Sequence, residues 1–252
     1  SSDLAVMTET LLFIAMTGAD MTGVLRKVHA QFDGLASHFP RATLLLLVSG
    51  SEEQNVVSEE LLMDGQVKVC YFPRTNSRVA TRKAKAAAAL NAARGLCVGS
   101  SVVYLRYPLS DPICASLVRR LAPYRVITEH QDKELSVNKV LGSPLAAALE
   151  VVYGRICRQL VTAFVGVTPE IAQYQKRRCG DAMKPTYVLG NGVSVSRLPL
   201  RQAPQYDGSV LRLLFIGHPF KPHGLDRLIR GLSRWSQMNR LGPAIELNIV
   251  GD

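Results

Sequence analysis

The stretch "FVGVTPEIAQYQKRRCGDAMKPTYVLGNGVSV", residues Phe164–Val195, decides the fold class because it holds one complete strand–helix–strand unit. Its apolar start predicts a buried strand. The residues Thr168–Glu170 then supply a capping side chain, a proline for the first helical position and an acid for the first turn. A second short strand, Thr186–Leu189, follows the helix and leads to Asn191-Gly192, a dipeptide typical of tight turns.

The same alternation of strand and helix continues along most of the chain. Asp111-Pro112 and Ser143-Pro144 mark two further helix starts in the same way. The apolar runs are continuous, which indicates strands covered by helices on both faces, so the sequence predicts an α/β fold with a Rossmann-like, doubly wound parallel sheet. The predicted strands are Leu11–Met16, Thr43–Val48, Val67–Pro73, Ser101–Tyr107, Arg125–His130, Ala163–Thr168, Thr186–Leu189, Leu211–Gly217 and Ile245–Val250.

A polar segment divides the chain into two predicted domains. Residues 194–210 contain two prolines and show no clear period, which is typical of a linker. The first domain therefore covers residues 1–193, and a smaller Rossmann-like unit covers residues 211–252. Two strands and one helix are few for a parallel sheet, so we expect this unit to be the beginning of an incomplete domain. Its uncovered apolar side chains should be exposed or covered by a second chain; they are Leu213, Phe215, Leu247 and Ile249.

Composition and charge narrow the classes of partner. The chain has 252 residues, of which 47% are hydrophobic, and a net charge of +10. No apolar run is long enough to span a bilayer, and the N-terminus lacks a secretory pattern, so we expect a cytoplasmic protein that could act at a membrane surface. The stretch from Gly65 to Ser110 has no acidic residue but contains eight basic ones, which favours a phosphate-bearing partner. They are Lys68, Arg74, Arg78, Arg82, Lys83, Lys85, Arg94 and Arg106.

Three places carry candidate site residues. Gly23 belongs to a glycine-flanked loop that leads into a helix, whose free N–H groups can bind an anion. His130 ends a predicted strand, and ligands of open α/β sheets bind at that end. Arg78, Arg82 and Lys85 are spaced by four and three residues on one helix, so they share a face. This face is either simply solvated or docks onto an anionic membrane.

The sequence resembles the retaining, nucleotide-sugar-dependent glycosyltransferases of the GT-B fold, family 4, which have two facing Rossmann-like domains. The motif Leu189–Val193 ("LGNGV") is similar to the Pro-Asn-Gly-Val that closes the first domain of this family. The stretch Leu213–Leu232 ("LLFIGHPFKPHGLDRLIRGL") is similar to the start of the donor domain, and the final "ELNIVGD" is similar to its next strand. Where the family has Arg and Lys, this chain has His218 and His223.

The resemblance implies an activity and a set of residues. It implies sugar transfer from a nucleoside diphosphate donor to an acceptor, with retention and without a metal or other cofactor. It places His130 near the catalytic histidine of the family, and it implies an acceptor that could be lipid-linked. The residues implied to bind the donor are Gly23, Gly217, His218, Lys221 and His223.

Two other classes of function stay open from the sequence. The two histidines in place of Arg and Lys, and the lack of the family's later pair of glutamates, favour a non-catalytic glycosyltransferase-like subunit that binds an acceptor or an active homologue. For the same reason we expect this chain alone to be incomplete for catalysis. The positive charge alone would allow a nucleic-acid-binding α/β domain, but no recognition motif supports it, so no nucleic acid is expected as a partner. Five scattered cysteines predict buried free thiols in a reducing compartment.

Overall fold

A computed structural model describes residues 9–18, 22–50, 66–73, 77–98, 100–191, 209–217, 223–238 and 242–251. The strands are β1 (Thr10–Gly18), β2 (Arg41–Ser49), β3 (Val67–Phe72), β4 (Val102–Arg106), β5 (Arg125–His130), β6 (Ala163–Gly166), β7 (Thr186–Val188), β8 (Val210–Ile216) and β9 (Ala244–Val250). The helices are α1 (Thr22–Ala36), α2 (Arg78–Leu96), α3 (Pro112–Leu121), α4 (Glu134–Val140), α5 (Pro144–Leu160), α6 (Pro169–Cys179) and α7 (Leu225–Met238). No helix within these ranges is both long and apolar enough to cross a membrane.

Seven strands form one parallel sheet in the order β3-β2-β1-β4-β5-β6-β7. The nine predicted strands and the predicted Rossmann-like α/β class are confirmed. From β1 the chain first builds outward through β2 and β3, and it then returns to the other side of β1 to continue through β4. The strand order therefore reverses between β1 and β4, and open α/β sheets bind ligands at the carboxyl ends of the strands at such a point.

The predicted helix starts at Pro112, Pro144 and Pro169 are also confirmed, and Asp111 and Thr168 form the caps that the sequence indicated. Oδ1 of Asp111 accepts a hydrogen bond from the N–H of Cys114 at 2.8 Å, and Oγ1 of Thr168 accepts one from Ile171 at 3.3 Å. A proline follows each capping residue at the start of the helix. These caps fix where α3 and α6 leave the sheet.

Apolar side chains cover both faces of the large sheet, as the continuous apolar runs predicted. On one face, β1, β2 and β4 pack with α2, α3, α5 and α6, and this cluster includes Leu12, Leu47, Leu105 and Phe164. On the other face, α1 packs through Leu25, Val28 and Phe32. Alternate residues of one strand thus enter different layers, and this separation decides which polar side chains meet at the carboxyl ends.

The second compact unit comprises Val137–Ser143 together with the residues that follow Ser194. It carries β8 and β9, which pair in parallel, and α7. The residues 194–208 of the predicted linker lie outside the described part of the chain. Of the apolar side chains expected to be exposed, Ile249 is 48% exposed, whereas Leu213, Phe215 and Leu247 are half-buried.

The more exposed face of β8 and β9 is therefore the opposite one. Its apolar residues are Leu214 at 62%, Ile216 at 73% and Val250 at 56% exposure. The prediction of an exposed apolar face is correct in kind, but the four predicted residues share the less exposed face of this small sheet. The alternating pattern of half-buried and exposed residues distinguishes the two faces.

Candidate functional site

A cluster of polar side chains lies at the carboxyl ends of β4 and β5, beside the point where the strand order reverses. Arg106, the last residue of β4, pairs in register with Glu129 of β5. Register partners in a parallel sheet point to the same face, so these two side chains are neighbours. Tyr104 lies on this face too, and it belongs to the apolar cluster against α1.

Hydrogen bonds hold the Glu129 carboxylate in place and connect it to α1. Glu129 is fully buried, and its Oε2 accepts a hydrogen bond from the Tyr104 hydroxyl at 2.9 Å. Its Oε1 accepts from Nε2 of Gln131, and Oε1 of Gln131 in turn accepts from Nζ of Lys27 on α1. The chain of contacts therefore leads from a buried carboxylate to an ammonium group, and burial together with the bond to Glu129 raises the pKa of Tyr104.

Both cations of this cluster have lowered pKa values although the carboxylates of Glu129 and Asp132 are nearby. Partial burial, reinforced by nearby Arg106, lowers the pKa of Lys27 to about 8. Burial also lowers the pKa of Arg106, and among the described residues its buried Nη1 has no hydrogen-bond partner. An anion bound beside both groups would favour their charged forms and raise both pKa values. The arrangement is therefore suited to binding a phosphate or carboxylate.

A third cation reaches the same edge of the sheet from the opposite layer. Lys85 of α2 is only 6% exposed, and its Nζ donates a hydrogen bond to the backbone oxygen of Thr17, near the end of β1, at 3.0 Å. Burial lowers the pKa of Lys85 to about 8.

Lys85 therefore does not lie on the exposed basic face that the spacing of Arg78, Arg82 and Lys85 predicted. Arg82 is also engaged, because it forms an ion pair with Asp111 and donates to the backbone oxygen of Leu109 at 3.0 Å. Arg78 alone of the three is exposed. The spacing places the three residues on one side of the helix, but on this side Arg82 and Lys85 contact the rest of the first unit instead of solvent.

His130, predicted to be catalytic, lies in the interior. It follows Glu129 on the strand, so its side chain enters the other layer, where it is 0% exposed. Its Nδ1 lies 2.5 Å from Oε1 of Glu134, and its Nε2 lies 3.1 Å from Oγ1 of Thr128. The ring packs on Tyr107 with the centroids 4.4 Å apart. Both ring nitrogens have partners within the protein, so this arrangement gives His130 a structural position rather than access to a substrate.

Glu134 connects His130 to a buried arginine. Nη2 of Arg158 lies 3.1 Å from Oε2 of Glu134 and 2.6 Å from Oε1 of Glu150, and the Arg158 side chain is 0% exposed. Gln175 of α6 donates to both Glu134 oxygens, at 3.0 and 2.9 Å, and accepts from Nε of Arg158 at 2.6 Å. This network joins α4, α5 and α6 behind the sheet, and its internal pairing indicates a structural role.

The residues predicted to bind a donor fall in both units. Gly23 is exposed in the first turn of α1, and a Cβ added there would meet nothing within 4 Å. Gly217 follows β8 with φ at 136°, a conformation that favours glycine, and its N–H donates to the backbone oxygen of Val250 at 2.9 Å. His223 is exposed before α7. His218 and Lys221 lie outside the described residues.

No sequence pattern singled out Lys27 or Gln131, and Arg106 was predicted only as one of the eight basic residues that favour a phosphate-bearing partner. A detectable signal existed for both Arg106 and Gln131. Arg106 is the penultimate residue of the predicted strand Ser101–Tyr107 and Gln131 directly follows the predicted strand Arg125–His130, and ligands of parallel sheets bind at these strand ends. For the buried ion pair of Glu150 and Arg158, the available signal was two oppositely charged residues eight positions apart on one predicted helix. Among the described residues, no group of three or more His, Cys, Asp or Glu side chains is arranged to hold a metal ion.

No protein-family model matches this sequence, and no curated protein matches it. Solved structures do match the fold. The N-terminal domain of trehalose-6-phosphate phosphatase from Candida albicans is similar with a TM-score of 0.57 and 10% identity, over 97% of this chain and 64% of that one. The apo form of the lipopolysaccharide outer core galactosyltransferase WaaB is similar with a TM-score of 0.53 and 14% identity, over 96% of this chain and 61% of that one.

A third similar structure is UGT2 of Phytolacca americana, complexed with UDP-2fluoro-glucose and pterostilbene. Its TM-score is 0.50 and its identity 11%, over 95% of this chain and 71% of that one. These likenesses concern the fold: the chain has a GT-B-like Rossmann domain, similar in structure to those of glycosyltransferases. The chain spans less than two thirds of the length of the first two structures.

Proposed function

We propose that this protein is a glycosyltransferase of the GT-B type, which transfers a sugar from a nucleoside diphosphate donor to an acceptor with retention and without a metal. The resemblance in sequence motifs and the likeness in fold to a galactosyltransferase and to a UDP-sugar complex support this proposal. The single observation that carries it is the pair Lys27 and Arg106 at the reversal of strand order, because both cations have lowered pKa values and one buried Arg106 nitrogen has no partner.

Lys27 and Arg106 would bind the donor diphosphate. The negative charge that develops on the leaving diphosphate needs positive groups that are already in place, and two side chains held at the end of a sheet meet that need. Glu129 would act as a positioning residue, since Gln131 connects its carboxylate to Lys27. The N-terminus of α1 at Gly23 offers backbone N–H groups to the same anion.

The roles of the remaining predicted residues belong to this proposal as well. The family resemblance assigns donor binding to Gly217, His218, Lys221 and His223 of the second unit. It also assigns the catalytic position to His130, and a direct role would require this side chain to give up its hydrogen bond to Glu134 or Thr128.

A second candidate function is a non-catalytic glycosyltransferase-like subunit that binds an acceptor or an active homologue. The position of His130 favours it, because the ring is fully covered and both of its nitrogens have partners within the protein. The anion site at Lys27 and Arg106 would then bind a ligand without turnover.

The test is release of nucleoside diphosphate from a panel of uridine, guanosine, adenosine and thymidine diphosphate sugars, measured by chromatography with and without a lipid extract as acceptor source. The wild type is compared with Lys27→Gln/Arg106→Gln. Arg125→Gln is the matched control, because Arg125 is a surface cation at the amino end of β5 and pairs with Glu9.

Release by the wild type and by Arg125→Gln, but not by the double variant, supports the enzyme. Donor binding without release supports the non-catalytic subunit. If the protein neither binds nor turns over any donor, the enzyme proposal fails; the non-catalytic subunit fails if the protein also binds no component of the lipid extract.

A further inference from the structure

A groove on the outer surface of the first unit lies between α2 and α3 and has a volume of about 370 Å³. Its floor is apolar: Leu90 and Leu117 are buried, and Ala86 and Ile113 are half-buried. Lys83 of α2 and Arg120 of α3 also line the groove, and both side chains are exposed. The groove therefore combines an apolar interior with cations, and neither the candidate anion site nor the His130 network uses it.

The two helices that form the groove carry no acidic residue. Their exposed cations are Arg78, Lys83, Arg94, Arg119 and Arg120. Asp111 caps α3, but Arg82 pairs with it, and among the described residues no carboxylate forms an ion pair with any of the five exposed cations. Among the residues that the structure describes, the outer surface of α2 and α3 thus carries a net positive charge without a paired carboxylate.

We propose that the α2–α3 groove docks this protein onto a membrane surface containing anionic lipids. The glycerol and upper acyl region of one lipid would contact Leu90, Ile113 and Leu117, while its phosphate would lie between Lys83 and Arg120. Membrane-surface binding generally combines apolar contact with attraction between basic side chains and anionic headgroups. This inference does not depend on the activity proposed above.

The chemistry of the groove favours a lipid over a nucleic acid. Single-stranded nucleic acids bind where bases stack on aromatic side chains beside a cationic channel. None of the residues that line this groove is aromatic. An aliphatic floor instead matches the aliphatic part of a lipid, and the cations match its phosphate.

Co-sedimentation of the whole chain with vesicles tests the proposal. Vesicles of phosphatidylglycerol and phosphatidylcholine should bind the protein, and pure phosphatidylcholine vesicles should not. Binding should weaken with salt. Lys83→Gln/Arg120→Gln should lower the partition coefficient about 25-fold, since each cation near the surface contributes about fivefold. Soluble glycerol 3-phosphate at millimolar concentration should not displace the protein, because it supplies the phosphate without the apolar part.

The matched control is Arg155→Gln/Arg177→Gln, which removes two exposed cations from α5 and α6. It should change the partition coefficient less than twofold. Ile113→Ser separates the apolar contribution, since it leaves the charge unchanged and should still weaken binding several-fold. Equal binding by the Lys83/Arg120 variant and its control would overturn the proposal. So would the absence of binding to the anionic vesicles, or a loss of RNA binding in that variant while vesicle binding is unchanged.

Discussion

Nδ1 of His130 lies 2.5 Å from Oε1 of Glu134, and the imidazole that makes this contact is fully covered. Glu134 also pairs with Arg158 and accepts hydrogen bonds from Gln175, so one carboxylate connects the end of β5 to α5 and α6. Burial by itself would raise the pKa of Glu134. The contacts with His130, Arg158 and Gln175 outweigh that effect and lower the pKa to about 2.

This lowered pKa predicts a specific loss of stability in acid. A carboxylate with a folded-state pKa of about 2 and an ordinary value of 4.5 stabilises the native state above pH 4.5, and the stabilisation disappears as the pH falls toward 2. The loss amounts to about 3 kcal/mol. Urea denaturation of the wild type between pH 7 and pH 2.5 should show it, and Glu134→Gln should be less stable at pH 7 with a flatter acid dependence. Parallel curves for the two proteins would contradict the assignment.

Arg158 is expected to be the most sensitive charged residue of α5. Arg158→Met leaves Glu150 and Glu134 without their buried partner, and breaking a buried ion pair from one side costs about 3–5 kcal/mol. Arg155→Met is the control, because Arg155 is exposed on the same helix. Its free energy of unfolding should stay within about 0.5 kcal/mol of the wild type. Similar effects for the two variants in denaturant titrations would show that the Arg158 network contributes little.

We predict that position 166 tolerates only glycine, because β6 and α6 pack closely there. A Cβ at this last residue of β6 would lie 2.3 Å from the backbone nitrogen of Ala172 on α6, so strand and helix would have to separate. Gly166→Ala should destabilise the protein by about 1–3 kcal/mol. Gly34→Ala is the control, since nothing lies within 4 Å of its added Cβ, and it should stabilise α1 by up to about 1 kcal/mol. Thermal unfolding of both variants measures the difference, and equal midpoints would refute the packing argument.

Protonation of Lys27 predicts that ligand binding is accompanied by proton uptake. Its pKa of about 8 means that a sizeable part of the free protein carries a neutral amine at pH 8. A bound diphosphate favours the ammonium form and raises this pKa, so binding at pH 8 should take up protons. Calorimetry of nucleoside diphosphate binding in two buffers of different ionisation enthalpy detects the uptake. Lys27→Gln should abolish it, and an uptake that persists in this variant would assign the effect to another group.

Much of the fold could be predicted from the sequence because its signals are local. Continuous apolar runs identified the strands, and Asp111 and Thr168 marked helix starts, since a cap depends only on a few neighbouring residues. Asn191-Gly192 and Gly217 supported a family resemblance for the same reason, as their motifs are short and contiguous.

The candidate site was harder to predict because it depends on which layer each side chain enters. Glu129 and His130 are adjacent in sequence, yet their side chains point to opposite faces of the sheet. Only the packing of α1 on one face brings Lys27 close to Glu129, through Gln131. Lys85 appeared to belong to a solvated face, because helical spacing does not say whether that face is turned outward. Its bond to Thr17 joins residues 68 positions apart, which no local pattern encodes.

The most direct test of the central claim, that Lys27 and Arg106 bind the diphosphate of a sugar donor, is a protein-observed NMR titration with uridine and guanosine diphosphates. The matching nucleosides without phosphate serve as ligand controls. We predict saturable shifts at the ends of β1 and β4 and at the start of α1 for a diphosphate but not for its nucleoside. Lys27→Gln/Arg106→Gln should weaken binding by tenfold or more, since a hydrogen bond to a charged group contributes about 1.5–3 kcal/mol, while Arg125→Gln binds normally. Shifts of equal size in the double variant, or none at these strand ends in the wild type, would contradict the account.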